Sequence, residues 1–383
     1  MAHRSLASFQ GLGRSAVANH IAKAVASQAE YHYTLAALSP SAVLTWTKAY
    51  FKNSFGFRHK FLTYTKSSGV YQILPETKIC IAGDWGSGTK EASIVANQML
   101  AQQPDWTLHL GDIYYIGDTI DVQENCLGYA PAGSNLTPNT WPLGSKGSFA
   151  LDGNHEMYAN GNGYYEEFLP TLGLRTPTEI FGQEASFFCL ENDYWQVIGL
   201  DTAYNSVGKP ILNLIFRPDC SLRKEQVDWL KTVISPTKGI ILLSHHQYYS
   251  NFEPEYFAAA KQLASLINRP VLWFWGHEHR FAIYDQYQAP GAIAANGRCI
   301  GHGGMPVDIT VQSNGKRPLI FNDKRKYNSG EAITVGYNGF ATLSFLGNQL
   351  IVNYLDLTSA IIASETWTVS AGTLTRVSLW SLA

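Results

Sequence analysis

The sequence lacks several features that would place it in a specialised class of proteins. Its five cysteines are scattered, odd in number and without a Cys-x-x-Cys pair, which favours a reducing compartment over a disulfide framework. No apolar run approaches the roughly 18 residues of a membrane span. The first residues also lack the continuous apolar stretch of a signal peptide. We therefore expect a cytoplasmic protein, and export by a route without an N-terminal signal stays open.

Charge is also scarce. Charged residues make up 15% of the 383 residues and the net charge is −2, so bulk charge does not indicate a nucleic-acid partner. Long nucleic acid is not an expected partner, because no basic stripe with interleaved aromatics surrounds the motifs described below. The charge that is present is uneven. Eight Lys/Arg against two Asp/Glu give residues 1–76 a net +6, and the remainder carries −8.

Residues 1–76 are predicted to form a helical, basic N-terminal extension. Apolar residues recur at helical spacing in Ala16–Glu30, and Ser39-Pro40 is typical of the start of a second helix over Ser41–Phe51. The segment Lys52–Lys66 is basic and rich in aromatics. Two interpretations stay open: these aromatics dock on the acidic body, or the basic residues contact a partner protein or an anionic membrane.

Residues 77–383 are predicted to form one α/β domain. Strand and helix patterns alternate from Lys78 onward, and a β-meander around Gly347-Asn348 ends the chain. This order favours two mixed sheets packed face to face with helices outside, a four-layer α-β-β-α sandwich, over a single doubly wound sheet.

The most informative stretch is Gly276-His277-Glu278-His279, which follows the apolar run Val271–Trp275. Two imidazoles that are two residues apart on an extended segment point the same way. Matching polar segments follow other predicted strands: Gly83-Asp84, Gly111-Asp112-Ile113-Tyr114-Tyr115, Gly153-Asn154-His155-Glu156 and Ser244-His245-His246. Ligands collect at the carboxyl ends of strands in layered α/β sheets, so we expect these segments to meet.

The side chains at these strand ends form a mixed set of carboxylate, amide, phenol and imidazole. The candidate ligands are Asp84, Asp112, Tyr115, Asn154, His245, His277 and His279. Such a set suits Fe, Mn or Zn rather than Ca or a structural zinc. Seven donors are too many for one ion and suit two ions that share a bridge. Taken singly, each residue also has a structural interpretation, such as a turn aspartate or a buried core histidine.

The order of these motifs resembles the calcineurin-like metallophosphoesterase superfamily over about residues 77–356. Within that superfamily it resembles the purple acid phosphatase branch, because Gly86 stands where many members carry histidine and Tyr115 lies three residues after Asp112. The resemblance implies one metal, Fe(III), on Asp84, Tyr115 and His279. It implies a second metal, Fe(II), Zn or Mn, on Asn154, His245 and His277, and a bridge by Asp112.

The resemblance also implies the chemistry. It makes His155 a catalytic residue that stabilises phosphoryl oxygens or protonates the leaving group, and we place His246 beside it as a second catalytic candidate. The expected reaction is hydrolysis of phosphate monoesters by a metal-bound hydroxide, with a phosphorylated small molecule or phosphoprotein as substrate. A phosphodiesterase acting on nucleotides or lipid head groups, or an effector protein with a vestigial site, are the alternatives. Weaker candidates for contacts behind the ligands are Glu156, Asp201, Glu278 and His302.

Overall fold

The computed structural model describes residues 56–129, 138–207, 219–328 and 334–382. The helices expected at 16–30 and 41–51 lie outside these ranges. Within the described residues the strands are, in chain order, β1 Val70–Gln72, β2 Glu76–Ala82, β3 Trp106–His109, β4 Gly147–Ala150, β5 Gly173–Leu174, β6 Phe188–Glu191, β7 Trp195–Leu200, β8 Gly239–Ser244, β9 Val271–Trp275, β10 Phe281–Gln288, β11 Ala294–Ile300, β12 Leu319–Asn322, β13 Tyr327–Asn328, β14 Thr334–Val335, β15 Gly339–Leu346, β16 Gln349–Asp356, β17 Ile361–Ser370 and β18 Thr373–Ser381. The α-helices are α1 Lys90–Ala101, α2 Thr119–Asn125, α3 Asn154–Met157, α4 Lys224–Val233 and α5 Ala258–Leu263. A π-helix at Tyr164–Phe168 runs into a 3-10 turn at Leu169–Thr171.

Two large mixed sheets contain most of the described strands. The first has the order β1-β6-β7-β8-β9-β11-β10-β12, and the second has the order β18-β17-β16-β15-β2-β3-β4-β5. In the second sheet β2, β3 and β4 are parallel neighbours, and in the first β7, β8 and β9 are parallel neighbours. The second sheet therefore has three adjacent parallel strands, and the first has four because β11 also pairs in parallel with β9. In each sheet the carboxyl ends of these strands lie at one edge.

The strands are apolar on both faces, which explains the layering. In β8, Ile241 and Leu243 face the core between the sheets, whereas Ile240 and Leu242 face an outer core that includes Leu230 of α4. The second sheet is covered in the same way, since α1 packs on its outer face. Side chains alternate along a strand, so each sheet contributes to two cores. The α/β prediction of a four-layer sandwich is confirmed.

Some local predictions differ from the structure. The expected boundary at residue 76 falls after β1, which pairs in parallel with β6 inside the first sheet. The stretch Ile116–Lys146 is rich in Gly, Pro and Asn, which predicts a long loop, but it contains α2. The N-cap of this helix, Asp118, accepts hydrogen bonds from the amides of Ile120 and Asp121. The side-chain cap satisfies amides at the start of this short helix.

The described part of the basic extension docks on the domain through its aromatic residues. His59 stacks on Tyr165 with ring centroids 4.7 Å apart, and Tyr64 packs edge-on against Phe187 at 5.4 Å. Arg58 donates to the backbone carbonyl of Tyr204 at 2.7 Å. For residues 56–66 these contacts agree with the docking interpretation. Contact of residues 1–76 with a partner or an anionic membrane stays a prediction.

The cysteines and the helices were also the subject of predictions from the sequence. All five cysteines are buried free thiols. Among the described residues, no helix has the length and the apolar character needed to cross a membrane.

Candidate metal centre

The polar segments meet where the parallel strands of both sheets end. Asp84 and Asp112 follow β2 and β3 of the second sheet, and Asn154 follows β4. His245 directly follows β8 of the first sheet, and His277 follows β9. Donors from two sheets can converge in this way because the sheets pack face to face with these strand ends on the same side. The sequence expectation that these segments meet is therefore fulfilled.

Glycines in these motifs allow the backbones to approach the carboxylates. A Cβ at Gly153 would lie 2.1 Å from Oδ1 of Asp112. A Cβ at Gly276 or Gly301 would lie 2.6 Å or 2.8 Å from Oδ2 of Asp84. No side chain fits at these distances, so the glycines are required by space around the two aspartates.

Three of the predicted ligands have positive φ angles, which non-glycine residues seldom adopt. The values are 57° for Asp84, 69° for Asp112 and 64° for His277. Strained conformations of this kind cluster at functional sites. The turns they form bring each side chain back over the end of its own strand.

The first group of donor atoms surrounds Nε2 of His245. Its Nδ1 lies 2.9 Å from the carbonyl oxygen of Leu110, which can only accept, so the proton of the neutral ring sits on Nδ1. The lone pair of Nε2 then faces Oδ1 of Asn154 at 3.1 Å, Oδ1 of Asp112 at 3.2 Å and Nδ1 of His277 at 3.2 Å. Converging lone pairs repel one another unless a proton or a cation lies among them.

The second group surrounds a tyrosine hydroxyl. The Tyr114 hydroxyl lies 2.8 Å from Oδ1 of Asp84, 3.0 Å from Oδ2 of Asp112 and 2.9 Å from Nε2 of His279. One phenolic proton faces two carboxylate oxygens and a ring nitrogen, again an arrangement that suits a cation. The negative charges of the two aspartates raise the pKa of Tyr114 further, beyond the rise caused by burial.

The tyrosine in this group is therefore Tyr114, whereas the motif resemblance assigned Tyr115. Tyr115 belongs to the same small cluster as Tyr114, with Met305 and Val335, and its backbone carbonyl lies 2.6 Å from Nδ1 of His155. The role of Tyr115 as a ligand stays a prediction, and the structure adds its neighbour Tyr114 as a second candidate. The other six predicted ligands lie in the two groups.

Asp112 belongs to both groups, with one carboxylate oxygen in each. Burial raises the pKa of this carboxyl, but the imidazoles of His245 and His155 outweigh burial and hold it well below its usual value. In the opposite sense, burial lowers the pKa of His245, yet the charge of Asp112 raises it to about 9. Mutual stabilisation of this kind shows how strongly negative the centre is and how well it suits positive charge.

The two catalytic candidates lie at the edge of these groups. Nε2 of His155 is 3.8 Å from Oδ2 of Asp112, and burial lowers the pKa of this imidazole. His246 packs against His277 with ring centroids 4.7 Å apart. Donor atoms of His245, His246 and His277 lie within 4.8 Å of one another, as do those of Asp84, Asp112 and His245. The catalytic and ligand roles of all these residues stay predictions.

The weaker candidates support the backbone around the centre. Glu156 accepts from the amide of Gly153 at 3.0 Å, and burial together with the charge of Asp112 raises its pKa to about 8. Glu278 accepts from the Ser250 hydroxyl at 2.5 Å. Asp201 accepts from the amides of Ala203 and Tyr204. The carbonyl of His302 accepts from the Asn338 side chain.

Sequence reasoning missed one residue beside the centre, Thr202. Its hydroxyl lies 3.1 Å from Nδ1 of His246. The signal was present, because Asp201-Thr202 directly follows β7, as the predicted ligands follow their own strands.

One protein-family model matches the part of the chain that contains all of these motifs. The model described as calcineurin-like phosphoesterase matches residues 77–281, more than half of the chain. The chain belongs to the calcineurin-like phosphoesterase family. The family implies divalent metal ions, for which the candidate ligands described above are present in this chain.

Solved structures with related folds are distant in sequence. A purple acid phosphatase, PPD1, from seeds of yellow lupin (Lupinus luteus) is 14% identical with a TM-score of 0.49, over 76% of this chain and 53% of that one. The chain thus spans about half the length of the lupin protein. A structure of PhoD is 15% identical with a TM-score of 0.49, over 84% of this chain and 74% of that one. A comparison with curated proteins gave no match.

Proposed function

We propose that this calcineurin-like phosphoesterase hydrolyses phosphate monoesters at a centre of two metal ions, in the manner of purple acid phosphatases. The observation that carries the proposal is the division of Asp112 between two donor groups, with Oδ1 beside His245 and Oδ2 beside Tyr114. A carboxylate placed in this way can serve two cations at once, as the bridge of a two-metal site requires.

The donor types support different metals in the two groups. Phenol and carboxylate oxygens dominate around Asp84, Tyr114 and His279, a hard set that suits Fe(III) as phenolate. Imidazole and amide dominate around Asn154, His245 and His277, which suits Fe(II), Zn or Mn. When bound, two such ions would withdraw charge from phosphate oxygens and lower the pKa of water enough to supply hydroxide.

The remaining catalytic roles are assigned to two histidines at the edge of the centre, His155 and His246. His155 has its Nδ1 directed to the Tyr115 carbonyl and its Nε2 3.8 Å from Oδ2 of Asp112, and we assign this Nε2 to the leaving-group oxygen. His246 packs against the predicted ligand His277, and we assign it to orienting the substrate phosphate. A phosphorylated small molecule or a phosphoprotein is the proposed substrate.

The experiment is hydrolysis of an aryl phosphate monoester beside the matching diester by the metal-loaded full chain, with Asp112→Asn as the blank. Faster turnover of the monoester supports the proposal. Faster turnover of the diester would make the protein a phosphodiesterase of nucleotides or lipid head groups. No hydrolysis of either ester by a chain that holds its metals would favour an effector with a vestigial site.

A further inference from the structure

We infer that Thr202 is a positioning residue that fixes the tautomer of His246, so that His246 presents an N–H to a phosphate oxygen of the substrate rather than a lone pair to a metal. The inference rests on the proposed function and adds a residue that none of the sequence motifs includes. It is carried by the hydrogen bonds between the turn after β7 and the residues after β8.

The Thr202 hydroxyl makes two contacts with one residue. It accepts from the backbone amide of His246 at 3.2 Å, and it lies 3.1 Å from Nδ1 of the same residue. An amide can only donate, so one lone pair of the hydroxyl is used by the backbone. The open question is which partner supplies the proton of the second contact.

The surroundings of Thr202 answer that question. Its side chain is almost fully buried, and among the described residues its hydroxyl has no acceptor other than Nδ1 of His246. If Nδ1 carried the proton, the hydroxyl would accept twice and its own hydrogen would be left without a partner in the interior. Buried polar hydrogens are nearly always satisfied. The hydroxyl therefore donates to Nδ1, and the proton of the neutral imidazole sits on Nε2.

The adjacent residue, His245, has the opposite tautomer. Nδ1 of His245 donates to the Leu110 carbonyl, which leaves the lone pair of Nε2 for a cation. Nδ1 of His246 accepts from Thr202, which leaves Nε2–H as a donor. Two adjacent histidines are thus given different tasks by their two partners, because a protonated nitrogen cannot ligate a metal. This separates His246 from the cluster of three imidazoles in which it stands.

The ring of His246 is also held in orientation by its neighbours. It packs edge-on against Tyr256 with centroids 5.3 Å apart and tilts over His277 at 4.7 Å. Within the described part of the chain, Nε2 has no hydrogen-bond partner, so it can donate to a ligand. The chemical group that such a donor beside a metal centre fits is a tetrahedral oxyanion, the phosphate of the substrate.

The test compares Thr202→Val, which keeps the shape and removes the hydroxyl, with Thr202→Ser, which keeps the hydroxyl. Metal content per chain and the affinity for inorganic phosphate are measured on the metal-loaded full chain by elemental analysis and calorimetry. We expect Thr202→Val to keep its metals and to bind phosphate about tenfold more weakly, since one hydrogen bond to an anion loses its alignment. We expect Thr202→Ser to restore affinity to within about twofold.

A second pair keeps the inference testable if Thr202→Val does not fold. The amide nitrogen of His246→Gln can replace Nε2–H, whereas His246→Ala has no donor. We expect both to keep their metals and His246→Gln to bind phosphate more tightly. Loss of metal from either variant, equal phosphate affinities in the pair, or wild-type affinity in Thr202→Val would overturn the inference.

Failure of the proposed function gives a different result. If the wild-type protein binds phosphate but hydrolyses no phosphate ester, the monoesterase proposal falls, and the phosphate affinities of the four variants still decide the role of Thr202. If the metal-loaded wild-type protein does not bind phosphate, His246 has no anion to contact and the inference is overturned as well.

Discussion

The centre depends on single atoms of single residues, and Asp112 is the clearest case. Its two oxygens face different donor groups, 3.2 Å from Nε2 of His245 and 3.0 Å from the Tyr114 hydroxyl. Removing the negative charge of this carboxylate weakens both donor groups together. A substitution at this position therefore acts on the whole centre, whereas substitution of His279 touches one group.

We expect Asp112→Asn to lower metal content and to reduce turnover by more than about a hundredfold, because even residues that only support metal ligands cost that much. Asparagine tolerates the positive φ of 69°, so the fold should persist. Asp105→Asn is the matched control. Asp105 lies at the other end of β3 and accepts from the Lys78 amide. Circular dichroism, elemental analysis and turnover are measured for both, and equal metal content in the two variants would contradict the prediction.

The two adjacent tyrosines provide a second prediction. We expect Tyr114→Phe to remove the phenol from the donor group of Asp84 and His279, and with it the visible absorption that a phenolate on Fe(III) gives. We expect Tyr115→Phe to keep that absorption, because the hydroxyl that lies 2.8 Å from Oδ1 of Asp84 is that of Tyr114. Absorption spectra of the two iron-loaded proteins decide. Colour lost only in Tyr115→Phe would restore the assignment based on the motif.

At the scale of elements, the glycines in the motifs allow the segments that follow neighbouring strands to lie in contact. Gly153 begins α3 and has a φ of −117°, which any residue can adopt. Its requirement is one of space, because an added Cβ would lie 2.1 Å from the Asp112 carboxylate and 2.5 Å from the Asp112 amide. The backbone at the start of α3 thus packs against the Asp112 side chain, which follows the end of β3.

We expect Gly153→Ala to displace the Asp112 carboxylate and to lower metal content. We expect little change in helix α3 itself, because the φ of −117° at Gly153 suits any residue. Gly291→Ala is the control, since Gly291 has a φ of +70° and nothing within 4 Å of an added Cβ. That variant should lose about 1 kcal/mol of stability through backbone strain and keep its metals. Elemental analysis and urea unfolding of both variants test this, and full metal content in Gly153→Ala would count against it.

The sequence predicted strands with a regular apolar pattern and missed one with a polar interior. The apolar run Val271–Trp275 predicted β9, and the β-meander around Gly347-Asn348 predicted β15 and β16. β11 contains Asn296, Gly297 and Arg298, and it was missed because the partner that allows burial of Arg298, Glu365, is 67 residues away. Local patterns cannot show a pairing of that range.

The meeting of the motif segments could be predicted for a related physical reason. Strand ends meet at one edge of a sheet, so motifs that follow strands could be placed together without the topology. The choice between Tyr114 and Tyr115 could not be made in this way, since it depends on how the backbone turns after Asp112. Thr202 also follows a strand, but only its contact with His246 in the folded chain distinguishes it from other residues after strands.

At the scale of the molecule, one buried ion pair joins the two sheets. Arg298 of β11 donates to both carboxylate oxygens of Glu365 in β17 at 2.7 Å and 2.6 Å. The Tyr354 hydroxyl donates to the same carboxylate at 2.6 Å. The pair is fully buried, so it sets which strands of the two sheets face each other.

We expect Glu365→Gln to lower the free energy of unfolding by about 3–5 kcal/mol, because Arg298 is left as a buried charge without its partner. The double variant Arg298→Met with Glu365→Leu should recover most of that loss, since apolar residues can replace a buried pair. Urea unfolding of the three proteins measures both effects. A double variant no more stable than Glu365→Gln would contradict this account.

The same pair predicts a dependence on pH. Burial raises the pKa of Glu365, but Arg298 outweighs it and the pKa lies below its usual value. A carboxyl with a lowered pKa in the folded state stabilises it above the unfolded pKa, about 4.3, and the gain disappears as pH falls through the folded value. We therefore expect the difference in unfolding free energy between wild type and Glu365→Gln to be constant above that pH and to shrink below it. A difference that grows on acidification would show the opposite sign.

The division of the centre between the two sheets has a consequence for synthesis on the ribosome. Asp84, Asp112 and Asn154 emerge early, whereas His245, His277 and His279 emerge much later, and β2 must wait for its neighbour β15 near the end of the chain. The nascent chain therefore cannot offer the complete set of candidate donors before His279 has been made. A metal that needs this set would bind after the strands of both sheets have emerged, so its supply would act after the early folding of either sheet.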